Sequence, residues 1–181
     1  YRQQLRHYAE RLSNRGYQLA ESRQARIVSS IAMFYDLEAT VDFARQFESI
    51  LADDGVWHFE QSYMPSMLRT NSYDTICHEH LEYYSLGVFE RILEMAGLRL
   101  VDVVMNSING GSFAVTAAKA SNRSIATNRA VVDWLLEQED RMGLSTPRPF
   151  REFEERVFRH RDDLTPLIRA LNADGKRILG Y

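Results

Sequence analysis

Residues 25–34 read Ala-Arg-Ile-Val-Ser-Ser-Ile-Ala-Met-Phe, a short apolar run rich in β-branched residues, of the kind that forms a buried strand. Over residues 38–51 the apolar positions Val41, Phe43, Ala44, Phe47, Ile50 and Leu51 share one helical face, and Asp53-Asp54-Gly55 is expected to end that helix. A second strand is expected over 56–63, Val-Trp-His-Phe-Glu-Gln-Ser-Tyr. Strand, helix and strand in so short a stretch form a βαβ unit, which requires a parallel pair with a right-handed crossover and commits the chain to the α/β class.

Further elements extend this unit. Val88, Ile92, Leu93 and Met95 predict a helix over 88–96 stopped by Gly97. Residues 98–105 and 112–119 read as strands joined by Asn106-Ser-Ile-Asn-Gly-Gly, a turn suited to positive φ, so an antiparallel hairpin is expected at a sheet edge. Two helices follow, over 124–142 and 150–172, separated by a breaker from Gly143 to Pro149. They are expected to connect domains, giving a helical connector over 122–175. Both ends read as interrupted. Residues 1–24 form a helical segment of no assigned role, with Leu5, Tyr8 and Leu12 at helical spacing and Gly16 as a stop, and 176–181 reads as the first strand of a further domain.

The chemistry concentrates between the βαβ unit and the later helices. From Asn71 to Ser85 the chain carries His78, His80, Glu79, Glu82, Cys77, Tyr73, Tyr83 and Tyr84, groups that are costly to bury unpaired and have no packing reason to sit together. A metal is a poor reading of Cys77, His78, Glu79 and His80, because ligands this close in sequence rarely close a tetrahedron. Charge excludes another class: the 22 basic residues are interleaved with 25 acidic ones, net −3, and leave no basic face for nucleic acid. No apolar run approaches the roughly 20 residues of a membrane span. The single cysteine precludes an internal disulfide and, with no secretory signal, favours a reducing cytoplasm. Nothing in the sequence indicates an oligomeric state.

Tyr73-Asp-Thr-Ile-Cys-His-Glu-His-Leu-Glu-Tyr-Tyr-Ser-Leu, then Gly97-Leu-Arg-Leu-Val-Asp-Val and Asn109-Gly-Gly-Ser-Phe, resemble the sugar C-methyltransferase family. The resemblance covers residues 25–118, with weaker agreement through Arg148-Pro149-Phe150 to the final Gly175-Lys-Arg-Ile-Leu-Gly-Tyr. It implies an S-adenosylmethionine-dependent enzyme that methylates the carbon beside the ketone of a nucleotide-linked 4-keto deoxysugar. It also implies a fold: residues 25–121 as the second half of a Rossmann-like class I methyltransferase domain, a mostly parallel sheet with an antiparallel edge hairpin, connected by helices to a C-terminal Rossmann-like domain. The family's glycine-rich cofactor loop has no counterpart in this sequence, and its zinc is expected only in a segment N-terminal to the residues present.

Residue by residue, the resemblance places the catalytic base at His80, with Glu79 beside it to hold or orient the sugar. Cys77, His78, Asp36, Tyr83, Gly110, Gly111 and Ser112 fall at substrate-binding positions, and Met33 and Phe34 at the cofactor. Carbon methylation next to a ketone needs a base for the α-proton, and an imidazole titrating near pH 6.5 suits that task. Two positions depart from the family pattern: Cys77 stands where a tyrosine is usual, and Asp36 where a histidine is usual. Both bear on which substrate is taken, since a thiol lacks a phenol's reach and a carboxylate is an anion where an imidazole is neutral. Two other readings are a non-catalytic module that binds a nucleotide sugar or a protein, and methyl transfer to a different small-molecule acceptor.

Overall fold

A computed structural model describes residues 24–180 of the chain. The expectations for residues 1–23 and Tyr181 lie outside these residues. Strand β1 (Ala25–Ile31), helix α1 (Thr40–Ile50) and strand β2 (Leu51–Ser62) form the expected βαβ unit, with β1 parallel to β2. Helices α2 (Met64–Thr70) and α3 (Leu86–Met95) lead to the hairpin of β3 (Leu98–Asn106) and β4 (Ser112–Lys119), and helices α4 (Arg129–Met142) and α5 (Arg148–Ala173) follow. The four-stranded sheet runs β1-β2-β4-β3, so the hairpin puts β3 on the edge and seats β4 antiparallel against β2. Among the described residues the sheet is therefore mixed rather than mostly parallel.

Trp57, Phe59 and Gln61 project from one face of β2, and the first two organise an aromatic core. Phe47 of α1 stacks on Trp57 at 4.3 Å, Phe89 of α3 lies 4.9 Å from Phe59, and the Trp57 indole N–H donates to Ser30 Oγ at 3.0 Å. Helix α3 buries Leu86, Phe89, Ile92 and Leu93, so its inner face is turned from the one expected: Val88 and Met95 are exposed. Gly97, at φ 76°, supplies the left-handed residue after the helix.

Helix α1 stops at Ile50, before Asp53-Asp54-Gly55, because Leu51 is fully buried and already paired with Ala25. The next pair is Ile27 with Val56, so residues 52–55 bulge out of the strand. Asp54 meets Arg26 at 2.8 Å and Asp53 meets Lys119 at 3.2 Å. Gly55 is required at the bulge: a Cβ there would lie 2.7 Å from the Ala25 carbonyl oxygen.

Helix α4 is more than a connector. Val132 and Leu135 are buried, and Glu139, only 6% exposed, accepts from the Tyr63 hydroxyl (2.8 Å), Leu86 N–H (2.5 Å) and Gly87 N–H (2.9 Å). A carboxylate from α4 thus supplies the cap that Ser85, at the start of α3, does not make. The helix begins at Arg129 rather than near Ser124 because the Arg99 guanidinium holds the preceding loop, donating to the carbonyls of Asn122 (2.7 Å) and Ile125 (2.6 Å) and to Thr127 Oγ1 (2.8 Å).

Helix α5 packs only through its first turns. Phe153 is buried, Arg156 donates to the Leu68 carbonyl at 2.6 Å, and His160 Nδ1 lies 2.6 Å from the Tyr73 hydroxyl. Over residues 161–180 every residue is exposed, and Pro166 interrupts the helix interior. Residues 176–180, expected as a strand, pair with no strand among the described residues and so have no ladder to join. No described helix is long and apolar enough to cross a membrane.

Candidate active site

Strand β1 ends at Ile31, and Ala32 takes φ 52°, unusual for a residue with a side chain, while its N–H donates to the Glu60 carbonyl at 2.8 Å. The chain then turns through Phe34–Asp36. This places Met33 to Asp36 at the C-terminal ends of the two parallel strands, where open α/β sheets bind ligands. Met33 packs partly buried against the core. Phe34, expected at the cofactor, lies within the core instead: it is 2% exposed and ringed by Phe43, Trp57, Phe59, Tyr84 and Phe89.

Tyr35 points the other way and anchors the histidine segment. Its carbonyl accepts from Leu81 N–H at 2.8 Å, and its ring lies 4.0 Å from the His80 imidazole, tilted by 43°. His80 Nδ1 lies 2.9 Å from the Thr75 carbonyl oxygen, which can only accept. In the neutral ring Nδ1 therefore carries the proton and Nε2 keeps its lone pair. Tyr83 also donates to the Thr75 carbonyl, at 3.3 Å, with its ring 6.2 Å from His80. Burial raises the Tyr83 hydroxyl above its ordinary value. Tyr84 turns inward and donates to Glu82, and burial, reinforced by that carboxylate, pushes its hydroxyl well up. Tyr35, Thr75, His80 and Tyr83 thus form one group.

The structure does not draw Cys77, His78 and Glu79 into that group, since all three are exposed. His78 Nε2 and Glu79 lie 3.9 Å apart at 92% and 75% exposure, a contact worth little in water. Asp36 is half-buried, and its Oδ1 is enclosed without a hydrogen-bond partner among the described residues. The glycines are explained by contact and conformation. Gly110 has φ 78° and Gly111 φ 128°, and a Cβ would lie 2.7 Å from Ser72 Oγ at the first and 2.5 Å from Ser66 Cβ at the second. They let the β3–β4 turn press onto α2, where the Gly111 carbonyl accepts from Tyr63 N–H at 3.0 Å. Ser112 is buried and donates to the Ile108 carbonyl at 3.0 Å.

Between the ends of β1 and β2 and this turn lies a cleft of about 130 Å³, which Tyr35 joins to the His80 group. Glu60, Gln61, Ser62 and Ser112 give it a polar wall, and Ile31 and Ile108 an apolar one. Gln61 is 3% exposed, and neither end of its carboxamide has a partner among the described residues. Sequence reasoning missed Tyr35, Thr75 and Gln61. For Gln61 the signal was present: it is the polar residue in the alternating row Trp57, Phe59, Gln61, Tyr63. No group of three or more His, Cys, Asp or Glu among the described residues is placed to hold a metal.

Residues 107–181 match the family model for the C-methyltransferase C-terminal domain. The chain is 36% identical over 157 residues to the C-methyltransferase NovU of Streptomyces niveus, an alignment covering 87% of this chain and 37% of that protein. The chain thus spans less than half the length of the curated relative. Solved structures with partial likeness include CalO1, a methyltransferase of calicheamicin biosynthesis in its SAH-bound form (TM-score 0.46, 14% identity, 55% of this chain and 31% of that one). Another is the O-methyltransferase NcsB1 from neocarzinostatin biosynthesis, in complex with S-adenosylmethionine and a naphthoic acid (TM-score 0.42, 15% identity, 54% and 29%). These two likenesses are too slight to bear on function. Through the family model and the NovU alignment, the chain is similar to the C-methyltransferases, the family its His-Glu-His and Asn-Gly-Gly-Ser motifs resemble.

Proposed function

We propose that the intact protein is an S-adenosylmethionine-dependent C-methyltransferase acting on the carbon beside the ketone of a nucleotide-linked 4-keto deoxysugar, with His80 as the base. The observation that carries this reading is the His80 environment: the Thr75 carbonyl fixes the proton on Nδ1, leaving Nε2 free to accept one. The Tyr35 ring holds the imidazole beside the strand-end cleft. His80 takes the α-proton of the ketone, and electron density moves onto the carbonyl oxygen as the enolate. Tyr83, a neutral donor with a raised pKa, is the described hydroxyl nearest His80 in sequence that could turn toward that oxygen. Glu79, Cys77 and His78, exposed here, are proposed to contact the sugar from the outer side, with Asp36, Gly110, Gly111 and Ser112 on the inner side. Exposed Cys77 is a free thiol, in keeping with a reducing cytoplasm.

The cofactor supplies the methyl group. At about 130 Å³ the cleft is well below the roughly 300–1,000 Å³ of sites that enclose a drug-sized ligand, so the described residues offer it at most an edge, with Met33 the residue proposed there. A nucleotide-linked acceptor is favoured by a second hollow of about 490 Å³ at the junction of α4 and α5, whose lining includes Arg69, Arg141, Arg148 and Arg156 with one carboxylate, Glu152, 3.5 Å from Arg148. Helix α2 runs from the cleft to this hollow, roughly 10 Å at 1.5 Å per residue, a span suited to a sugar and its phosphates.

The test is exchange of the sugar's α-proton with deuterated water in the presence of the demethylated cofactor. His80→Ala is expected to slow exchange by about 10²- to 10⁴-fold while leaving nucleotide-sugar binding largely intact. Exchange at the parent rate would remove His80 as the base.

A further inference from the structure

Four guanidiniums converge on the hollow at the junction of α4 and α5, although the chain as a whole carries net −3: Arg69 from α2, Arg141 from α4, and Arg148 and Arg156 from α5. The fold accounts for part of this. Arg69 and Arg141 stand in the last turns of their helices, where a cation suits the negative end of the dipole, and Arg156 donates to the Leu68 carbonyl at 2.6 Å. The negative charge that faces the four cations is smaller than theirs. The lining holds one carboxylate, Glu152, 3.5 Å from Arg148, and outside it Glu137 accepts from Arg141 at 2.6 Å. The C-termini of α2 and α4 add roughly half a negative charge each, so about one positive charge stays uncompensated. Arg69 makes no hydrogen bond among the described residues, and Arg148 makes the long ion pair alone. Most of the donors of these two guanidiniums are therefore unspent.

We propose that the hollow is an anion site in which Arg69 and Arg148 grip a diphosphate group, supplied by the nucleotide of the acceptor. The source of the diphosphate rests on the sugar-nucleotide reading above; the anion site does not. The arrangement of the donors selects the class. A carboxylate offers two oxygens in one plane and satisfies one guanidinium fork, whereas a diphosphate presents oxygens in several directions and is reached from three helices at once. An uncharged or cationic ligand leaves the excess of positive charge standing. Two residues of the lining, Leu68 and Pro149, are buried, so the cations work beside apolar surface, where their attraction for an anion is screened less than in open water. At about 490 Å³ the hollow has room for a diphosphate with part of a nucleoside. Because the grip is on the phosphates and not on the sugar, free diphosphate competes with the acceptor, and the proton chemistry stays with His80.

The experiment titrates the intact protein with inorganic diphosphate by calorimetry, with acetate as the carboxylate control, and repeats the titration for Arg69→Gln, Arg148→Gln and the double variant. Arg156 is left in place because it holds α5 to the end of α2. The expected result is diphosphate binding that weakens as salt is raised, no binding of acetate at the same concentrations, and about tenfold weaker diphosphate binding in each single variant. Both side chains are exposed, so the thermal midpoints of the single variants should stay within about 2 °C of the parent. Absence of diphosphate binding in the parent, or equal binding by the parent and the double variant, overturns the proposal. Competition with a nucleotide-linked 4-keto-6-deoxyhexose then tests the source. Displacement of that probe by inorganic diphosphate supports the nucleotide as the ligand. If diphosphate binds through the arginines and the probe is not displaced, or does not bind at all, the nucleotide is overturned as the source while the anion site stands.

Discussion

Replacing Glu139 by alanine takes the acceptor away from three donors at once. The Leu86 amide and the Tyr63 hydroxyl belong to residues that are 0% and 6% exposed, so neither is rehydrated easily, whereas Gly87 is half-buried and water can reach its amide. Leaving a buried donor unpaired costs about 1–3 kcal/mol each, and two such donors plus the lost helix cap give an expected loss of about 4 kcal/mol. For a protein of this size that lowers the thermal midpoint by roughly 8–16 °C at 2–4 °C per kcal/mol. Glu139→Gln keeps an acceptor oxygen but turns an NH₂ toward one of the donors, so about half that loss is expected. Urea unfolding of both variants, with the slope checked for constancy, measures the difference. A loss below about 1 kcal/mol for alanine would falsify the claim that α4 caps α3 through this carboxylate.

Three further outcomes are expected. Gly111→Ala should lose about 2–4 kcal/mol from its φ of 128° and its 2.5 Å approach to Ser66 Cβ, and adding Ser66→Gly should recover only the contact part, as a double-mutant cycle in urea shows. Tyr63 and Tyr84 both have hydroxyls raised above their ordinary 10.0 in the folded state, so their contribution is complete below pH 10 and is lost as pH rises above it; stability measured from pH 8 to 12 should fall less steeply in Tyr63→Phe than in the parent. Arg99→Lys should free the loop from Asn122 to Thr127, because an ammonium cannot span three acceptors in one plane, and limited proteolysis within 121–128 should speed up while the core resists.

The βαβ unit and the hairpin were legible because their signals are local: alternation along 56–63, helical spacing from Val41 to Phe47, and a glycine pair between two strands. What escaped depends on partners distant in sequence. Nothing near Glu139 marks it as a cap, since Tyr63 lies 76 positions away and Leu86 53, and α4 therefore read as a connector. Asp53-Asp54-Gly55 looked like a helix stop because the pairing of Leu51 with Ala25, which makes it a bulge, cannot be seen from one strand alone. At the candidate site the His-Glu-His motif singled out His80 but not the carbonyl of Thr75 that fixes its tautomer, because a main-chain oxygen leaves no mark in the sequence. That the Phe34 ring turns into the core was not legible, because an aromatic residue after a strand looks the same whether it turns inward or outward.

Helix α5 leaves the sheet as an exposed arm whose last described tertiary hydrogen bond is to the histidine segment. From the hydrogen bond between His160 and Tyr73 to the last helical residue, Ala173, the arm extends about 20 Å at 1.5 Å per residue. Tyr73 opens the turn that ends at Thr75, whose carbonyl sets the proton on His80. Pro166 lies along the arm, where a missing N–H removes one helical hydrogen bond. The first half of α5 is thus tied, through one tyrosine and the turn it opens, to the carbonyl that orients a single imidazole.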